Sequence, residues 1–297
     1  MRNPLQRRDT LPPNRYDETA RASASVVIDR YSTSFGWATR MLDEPVRTHV
    51  RCIYALVRVA DELVDDEDQD WGRDDRAAVL DGLHEETLRA VGSGCSANLV
   101  VHAFALTARE HGIRPELIDP FFDSMRADLS VQVHDPQSLS GYVYGSAEVV
   151  GLMCLRVFVG GDDARYEQLA PGARSLGAAF QKVNFLRDLA ADFEQLGRSY
   201  FPGVDVASFT EADKVRLLDD IDADLAVSAR VIPMLPKSSR RAVALAQGLF
   251  AELSARLRAT PADRLVTTRV RVPNPVKLRI AAVAAAGRVP RIERVAR

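Results

Sequence analysis

The chain has 297 residues, 46% of them hydrophobic and 27% charged, and a formal net charge of −2. This is the composition of an ordinary soluble globular protein with enough length to bury a sizeable core, and it gives no reason to expect nucleic acid as a partner. The charge is uneven: Pro261 to Arg297 carries a net +7 and the first fifteen residues +3, which leaves −12 for the body from Tyr16 to Thr260. An acidic body that binds an anionic substrate needs cations in between, whereas basic ends suit either plain solvation or an anionic lipid surface.

Cys52, Cys95 and Cys154 are widely spaced, form no CxxC pair and follow no secretory signal. They read as reduced, mostly buried thiols in a cytoplasmic protein. No apolar run approaches the roughly 18 to 20 residues of a membrane span. Any membrane contact is therefore expected to be peripheral, on the inner face of the cytoplasmic membrane.

Residues 1–15, with Pro4, Pro12 and Pro13 among arginines, read as a flexible arm. From Asp17 to about Met41 the pattern is helical, interrupted by Tyr31-Ser32-Thr33-Ser34-Phe35-Gly36. Clustered hydroxyls at a break suit a phosphate and suit helix capping equally. Pro45 opens a helix that runs to about Asp66. At about 100° per residue, Ile53, Leu56, Ala60, Leu63 and Val64 share one broad face, while Tyr54, Arg58, Asp61 and Asp65 form a narrow stripe roughly opposite Leu63. Glu62, Asp66, Glu67 and Asp68 lie off that line and supply the solvated charge.

Further helices are expected over Asp75 to Ala90, Ala97 to Glu110, Pro115 to about Leu129 and Ser140 to Phe158, with Trp71 to Asp74, Gly92 to Gly94, Gly112 and Asp135-Pro136 as breaks. His84, His102 and His111 have no partner at ligand spacing and read as structural or surface residues. Small residues at Gly145, Ser146, Ala147 and Gly151 allow another helix or a ligand close to the backbone. After the Gly160 to Asp163 turn, Pro171 starts a second long helix on which Gln181, Asn184, Asp188 and Asp192 share a stripe flanked by Phe185, with Val183, Leu186, Leu189 and Phe193 on the other side. Thr210 to Ser228, Lys237 to Arg258 and the Ala-rich Val276 to Ala286 complete the pattern. No strand alternation, repeat of 20 to 50 residues or internal linker appears. The fold class is all-α, one catalytic body over residues 16–260 with a basic C-terminal helix and tail over 261–297 that packs on it or extends it.

Asp61 with Asp65, and Asp188 with Asp192, each place two carboxylates on one helix face a turn apart. On an exposed helix such a pair repels by about 0.2–0.5 kcal/mol; across a shielded pocket at an effective dielectric near 20, a pair ~6 Å apart costs nearer 3 kcal/mol. Four such groups facing one cavity require a cation. Carboxylates with Asn184 and Gln181 nearby, and no His or Cys, form a hard oxygen site that favours Mg²⁺, or Mn²⁺ in its place, over Zn²⁺. Arg58 and Arg187 lie beside the two pairs and suit phosphate oxygens. The pattern points to a Mg²⁺-dependent enzyme that handles a diphosphate, with ionisation of an allylic diphosphate the best fit: metal and arginine stabilise the leaving group and apolar walls shelter the cation.

The segments YSTSF, YALVRVADELVDD, YVYGSAEVVG, QKVNFLRDLAAD and GRSYFP resemble, in order and spacing, the squalene and phytoene synthase family of head-to-head prenyltransferases, over roughly residues 25–280. The resemblance implies an isoprenoid synthase fold around a central cavity and a two-step reaction of two prenyl diphosphates through a cyclopropyl intermediate. It implies that Asp61, Asp65, Asn184, Asp188 and Asp192 hold the metal, with Gln181 beside them. Arg58 and Arg187 would hold phosphate, Ser32 and Ser34 would line its site, and Tyr142 would steer proton or cation chemistry. Phe35, Tyr54, Asp128, Arg198 and Tyr200 complete the expected substrate contacts.

Departures from the family pattern are Thr33 where many members have Lys, Ala191 where the usual residue is Glu, an interval from Asp192 to Tyr200 that is one residue longer than is common, and Phe250 at a position often held by Tyr. Within the family, VRVADELVDD, GSAEVVGLMCLRVF and AAFQKVNFLRDL are most similar to phytoene synthases of carotenoid-producing bacteria, which implies two geranylgeranyl diphosphates as substrates and no NADPH. A dehydrosqualene or squalene synthase using farnesyl diphosphate is the alternative, because chain length depends on cavity depth. A non-catalytic assembly factor of the family would be expected to have lost its aspartates, and all four are present. Arg269, Arg271, Lys277, Arg279 and Arg288 are the candidates for contact with an anionic membrane.

Overall fold

The computed structural model describes residues 14–31, 34–65, 71–130, 133–196 and 200–290, of which 34–35 and 190–196 are described in their backbone alone. The chain begins with α1 (Arg15–Tyr31), started by the Asn14 side chain, which accepts a hydrogen bond from the Asp17 amide at 2.9 Å. The short α2 (Ser34–Thr39) and the long α3 (Val46–Asp65) follow. α4 (Arg73–Ser93) stops at Gly94, whose φ of 88° is the left-handed cap that glycine adopts without strain. α5 (Leu99–His111) starts at Asn98, whose side chain accepts from the amides of Val100 and Val101, and α6 (Pro115–Asp128) has proline in its first turn.

α7 (Pro136–Val143) opens on a capping box between Asp135 and Ser138, passes through one π-helical turn (Tyr144–Glu148), and continues as α8 (Val149–Val159). α9 (Asp163–Leu196) and α10 (Glu211–Val231) are followed by α11 (Lys237–Ala259), the single turn α12 (Ala262–Leu265) and α13 (Asn274–Ala285). No strand is present among the described residues.

Two apolar cores hold these helices. One joins Ile53 and Leu56 of α3 to Leu80, Phe104, Phe121, Phe122 and the α8 residues Met153 and Leu155. The other joins Val183, Leu186 and Leu189 of α9 to Leu218 and Ile221 of α10 and Leu257 of α11. α8 packs against both α3 and α9, so it is the element that the two aspartate-bearing helices share. α13 packs on α11 with Ile280 and Ala284 buried.

Among the described glycines, the closest approach to another backbone is at the π turn. A Cβ on Gly145 would stand 2.0 Å from the Pro120 carbonyl oxygen of α6, and one on Gly177 would stand 2.6 Å from the Ala147 carbonyl oxygen. The small residues expected to allow close approach here do bring α6, the π turn and α9 into backbone contact.

Several expectations are corrected. Pro171 lies inside α9, which begins at Asp163. The helix expected from Ser140 begins at Pro136, and Asp135-Pro136 is its cap. Pro136–Val159 is a continuous run of 24 helical residues, long and apolar enough by composition to cross a membrane, so the expectation that no such run exists fails. Its buried face, with Val149, Leu152 and Leu155, packs in the first core. Cys52 is buried and Cys154 partly so, but Cys95 is exposed. The histidines are not alone: His84 Nε2 lies 2.8 Å from Asp119, His102 Nε2 lies 2.8 Å from Asp17, and His111 Nε2 lies 3.9 Å from Glu110. Two of these acids, Asp119 and Asp17, sit on other helices, which spacing along one segment does not reveal.

Candidate active site

On α3, Arg58, Asp61 and Glu62 fall within one turn. The Arg58 guanidinium bonds Asp61 through Nη1 and Glu62 through Nη2, so Glu62 belongs to this polar line and is not the detached solvated charge that the helical projection suggests. The same guanidinium lies 5.0 Å from the ring centroid of Tyr31, at the end of α1. That cation–π contact fixes the orientation of the arginine. Tyr54 is half-buried one turn before Arg58, and Asp65 is exposed one turn after Asp61.

On α9, Arg187 Nε approaches both Asp188 oxygens, at 3.0 and 3.1 Å. Asp188 also receives a second guanidinium from far along the chain. Arg269, between α12 and α13, places Nε 2.8 Å from Oδ1 and Nη2 3.2 Å from Oδ2. One carboxylate with 18% side-chain exposure therefore carries two arginines, one of them 56% exposed. The local excess of positive charge is what an incoming polyanion needs. Arg269, one of the candidates for membrane contact, makes its ion pair with the aspartate motif, and Arg279 reaches Glu252 at 4.0 Å.

Gln181 and Asn184 are half-buried on the same helix. Lys182, between them, turns to α10 instead, with Nζ 2.5 Å from Asp220 and 2.9 Å from Asp224. Burial pulls its pKa down, but the two aspartates outweigh this and the net displacement is upward. Lys182 thus clamps α9 to α10 as a permanent cation.

Beside the α9 line lies an aromatic nest. Tyr142, buried at the end of α7, donates its hydroxyl to Asp128 Oδ2 at 3.0 Å, which joins the two residues that the family resemblance had named separately. Phe185 stacks on Tyr200 at 4.0 Å, and Tyr142 lies 5.8 Å from Tyr200 and 5.9 Å from Phe185. His134 completes the nest, 5.0 Å from Tyr142 and 5.9 Å from Tyr200 between ring centroids. Phe250 stacks on Phe180 at 3.7 Å. His134 carries no sequence signal of its own, Tyr31 stood out only as part of YSTSF and Arg269 only as part of the basic C-terminal stretch; tertiary packing places each of them here. Ser32 and Arg198 lie outside the described residues, and Ser34, Phe35 and Asp192 are described in their backbone alone.

Residues 28–275 match the model of the squalene/phytoene synthase family. The chain belongs to that family. Among related sequences it is 28% identical over 193 residues to a bifunctional lycopene cyclase/phytoene synthase of Blakeslea trispora, covering 59% of this chain and 31% of that protein. It is 27% identical over 277 residues to a phytoene synthase of Mycobacterium tuberculosis, covering 86% of this chain and 87% of that one. The chain spans 31%, 66% and 59% of the length of three curated relatives it matches. Among solved structures, a dehydrosqualene synthase in complex with ligand superposes with a TM-score of 0.78 at 21% identity, covering 91% of this chain and 97% of that one. At that identity the likeness shows the fold: this squalene/phytoene synthase family member has the all-helical fold of its structural neighbours.

Proposed function

We propose that this family member is a Mg²⁺-dependent phytoene synthase that joins two geranylgeranyl diphosphates head to head, and that it needs no nicotinamide reductant. The observation that carries the reading is the arrangement at Asp188, where Arg187 and Arg269 converge on one carboxylate of a DxxxD pair. The donor set fits the metal. Asp61, Asp65, Asp188, Asp192 and Asn184 offer only oxygens, and the guanidiniums already paired with Asp61 and Asp188 are ready to exchange carboxylate for phosphate oxygens. Mg²⁺ held there would neutralise the charge that develops on departing diphosphate.

The chain's own residues do the rest. Arg58, Arg187 and Arg269 grip the two diphosphates and hold the allylic carbons in reach of one another. As the C1–O bond of the first substrate breaks, the double bond of the second attacks C1, and loss of a proton closes the cyclopropane. Departure of the second diphosphate, rearrangement and loss of another proton give the linear product. Tyr142, its hydroxyl oriented by Asp128, and the faces of Phe185 and Tyr200 shelter the cations and direct proton loss. Arg269, Arg271, Lys277, Arg279 and Arg288 are the candidates for contact with anionic headgroups; vesicle co-sedimentation that weakens as salt is raised tests that assignment.

The deciding experiment incubates purified protein with Mg²⁺ and either geranylgeranyl or farnesyl diphosphate and identifies the extracted hydrocarbon by mass spectrometry. Phytoene from the longer substrate is expected, lost in Asp61→Asn and Asp188→Asn. A C30 product from the shorter substrate alone would move the reading to dehydrosqualene or squalene synthesis. No product from either would bring the non-catalytic alternative forward.

A further inference from the structure

Twelve residues before Asp61, at the other end of α3, a second group of ligand atoms converges. His49 is 3% exposed in its side chain, and its Nε2 lies 3.5 Å from Glu110 Oε1. His111 Nε2 lies 3.9 Å from that same oxygen, and the two imidazole rings meet edge to face with centroids 4.4 Å apart. One ligand atom from each of the three residues falls within 4.8 Å of the others. A helical rise of about 1.5 Å per residue puts this cluster about 18 Å from Asp61 along α3, so it is not part of the aspartate line.

We infer that His49, Glu110 and His111 form a binding site for a Zn²⁺-class transition-metal ion, separate from the site proposed for Mg²⁺. Four features support this. Tetrahedral zinc with nitrogen and oxygen ligands at about 2.0–2.2 Å has neighbouring donors about 3.3–3.6 Å apart; the two edges to Glu110 measure 3.5 and 3.9 Å and the third falls within 4.8 Å, so the side chains converge to close to that spacing. Two imidazoles with one carboxylate select zinc, cobalt, nickel or copper over magnesium or calcium. His49 Nδ1 lies 3.0 Å from the Thr107 hydroxyl, which can accept from Nδ1–H in the tautomer whose Nε2 lone pair is directed at the cluster. Lastly, His111 Nε2 is buried and takes no hydrogen bond among the described residues, a state that a ring nitrogen leaves by binding water or an ion.

The surroundings agree. Glu110, 52% exposed, opens one side to solvent, where water can complete the coordination sphere. Because α3 and α5 supply the ligands from opposite chain directions, the ion would staple the start of α3 to the end of α5.

The test titrates chelator-treated, full-length protein with Co²⁺ in excess Mg²⁺. The expected result is one equivalent bound with the intense visible absorption of a four- or five-coordinate sphere containing nitrogen, displaced by Zn²⁺, which also raises the melting temperature. His111→Gln and Glu110→Gln should each weaken Co²⁺ by at least ~10-fold, and Thr107→Val, through loss of the supporting bond, by a similar factor. Asp61→Asn should leave the spectrum unchanged, and His111→Gln should leave Mg²⁺-dependent turnover unchanged. The weak absorption of Co²⁺ in six oxygens, a spectrum indifferent to His111→Gln, or one lost in Asp61→Asn would each overturn the site.

Discussion

Arg269 and Asp188 stand 81 residues apart in sequence and form a two-point ion pair, Nε to Oδ1 at 2.8 Å and Nη2 to Oδ2 at 3.2 Å. The segment between α12 and α13 is thereby fastened across the second aspartate motif. An arginine more than half exposed adds little to stability through such a pair, because solvent screens it and its side-chain entropy opposes ordering. Its value is in presenting a guanidinium fork where a diphosphate would arrive.

Arg269→Ala is accordingly expected to leave the melting temperature nearly unchanged while raising the inhibition constant of inorganic diphosphate about 10- to 100-fold, the worth of a charge-assisted hydrogen bond. Arg269→Lys should restore only part of this, since a lysine cannot make the two-point contact. Steady-state kinetics with added diphosphate measures both variants; unaltered inhibition in Arg269→Ala would remove the residue from the site.

Tyr142→Phe keeps the ring in the aromatic nest and deletes the hydroxyl bonded to Asp128. The cost in stability should be about 1 kcal/mol. Turnover should fall by about 10²- to 10³-fold if the hydroxyl directs proton loss, with diphosphate inhibition unchanged. Product analysis alongside rate separates a slowed reaction from a diverted one.

Gly145→Ala would drive a methyl to 2.0 Å from the Pro120 carbonyl oxygen and 2.2 Å from Ser124 Oγ. Backbone must move, so the loss should reach the upper end of the roughly 1–3 kcal/mol seen for overpacking. Gly141→Ala is the control: its Cβ meets nothing within 4 Å, and alanine improves helix propensity by up to about 1 kcal/mol. Denaturant unfolding should move in opposite directions for the two.

The buried His49 gives the fold a pH dependence. Its folded pKa of about 4 lies below the ordinary 6.5, so the unfolded chain binds the proton more readily between those values and stability falls as pH drops through that window. Burial is the main cause; Glu110 and Glu44 oppose it, while His111 and Arg21 reinforce it. The stabilisation present above pH 6.5 and lost by pH 4 is at most about 3 kcal/mol for this ring. Unfolding free energies at pH 7 and 5 should therefore differ less in His49→Gln than in the unaltered chain.

What the sequence determined follows from local physics. Apolar residues recurring at helical period, with Thr210 as a start and Gly94, Gly112 and Gly160 at the breaks, fix an all-helical chain, because capping and amphipathicity are decided within a few residues, whereas the caps at Asn98 and Asp135 emerged only in the structure. The aspartate pairs were legible for the same reason: residues four apart on a helix share a face whatever surrounds it. Tertiary structure alone decided the partners. It brought Arg269 to Asp188, Asp128 to Tyr142, Tyr31 to Arg58 and His49 to His111. Such pairings depend on which helix lies beside which and at what height, and no periodicity within a single segment encodes that. The membrane-length stretch Pro136–Val159 makes the same point: its composition fits lipid, and only its neighbours α3, α6 and α9 show the protein interior that one face of it fills.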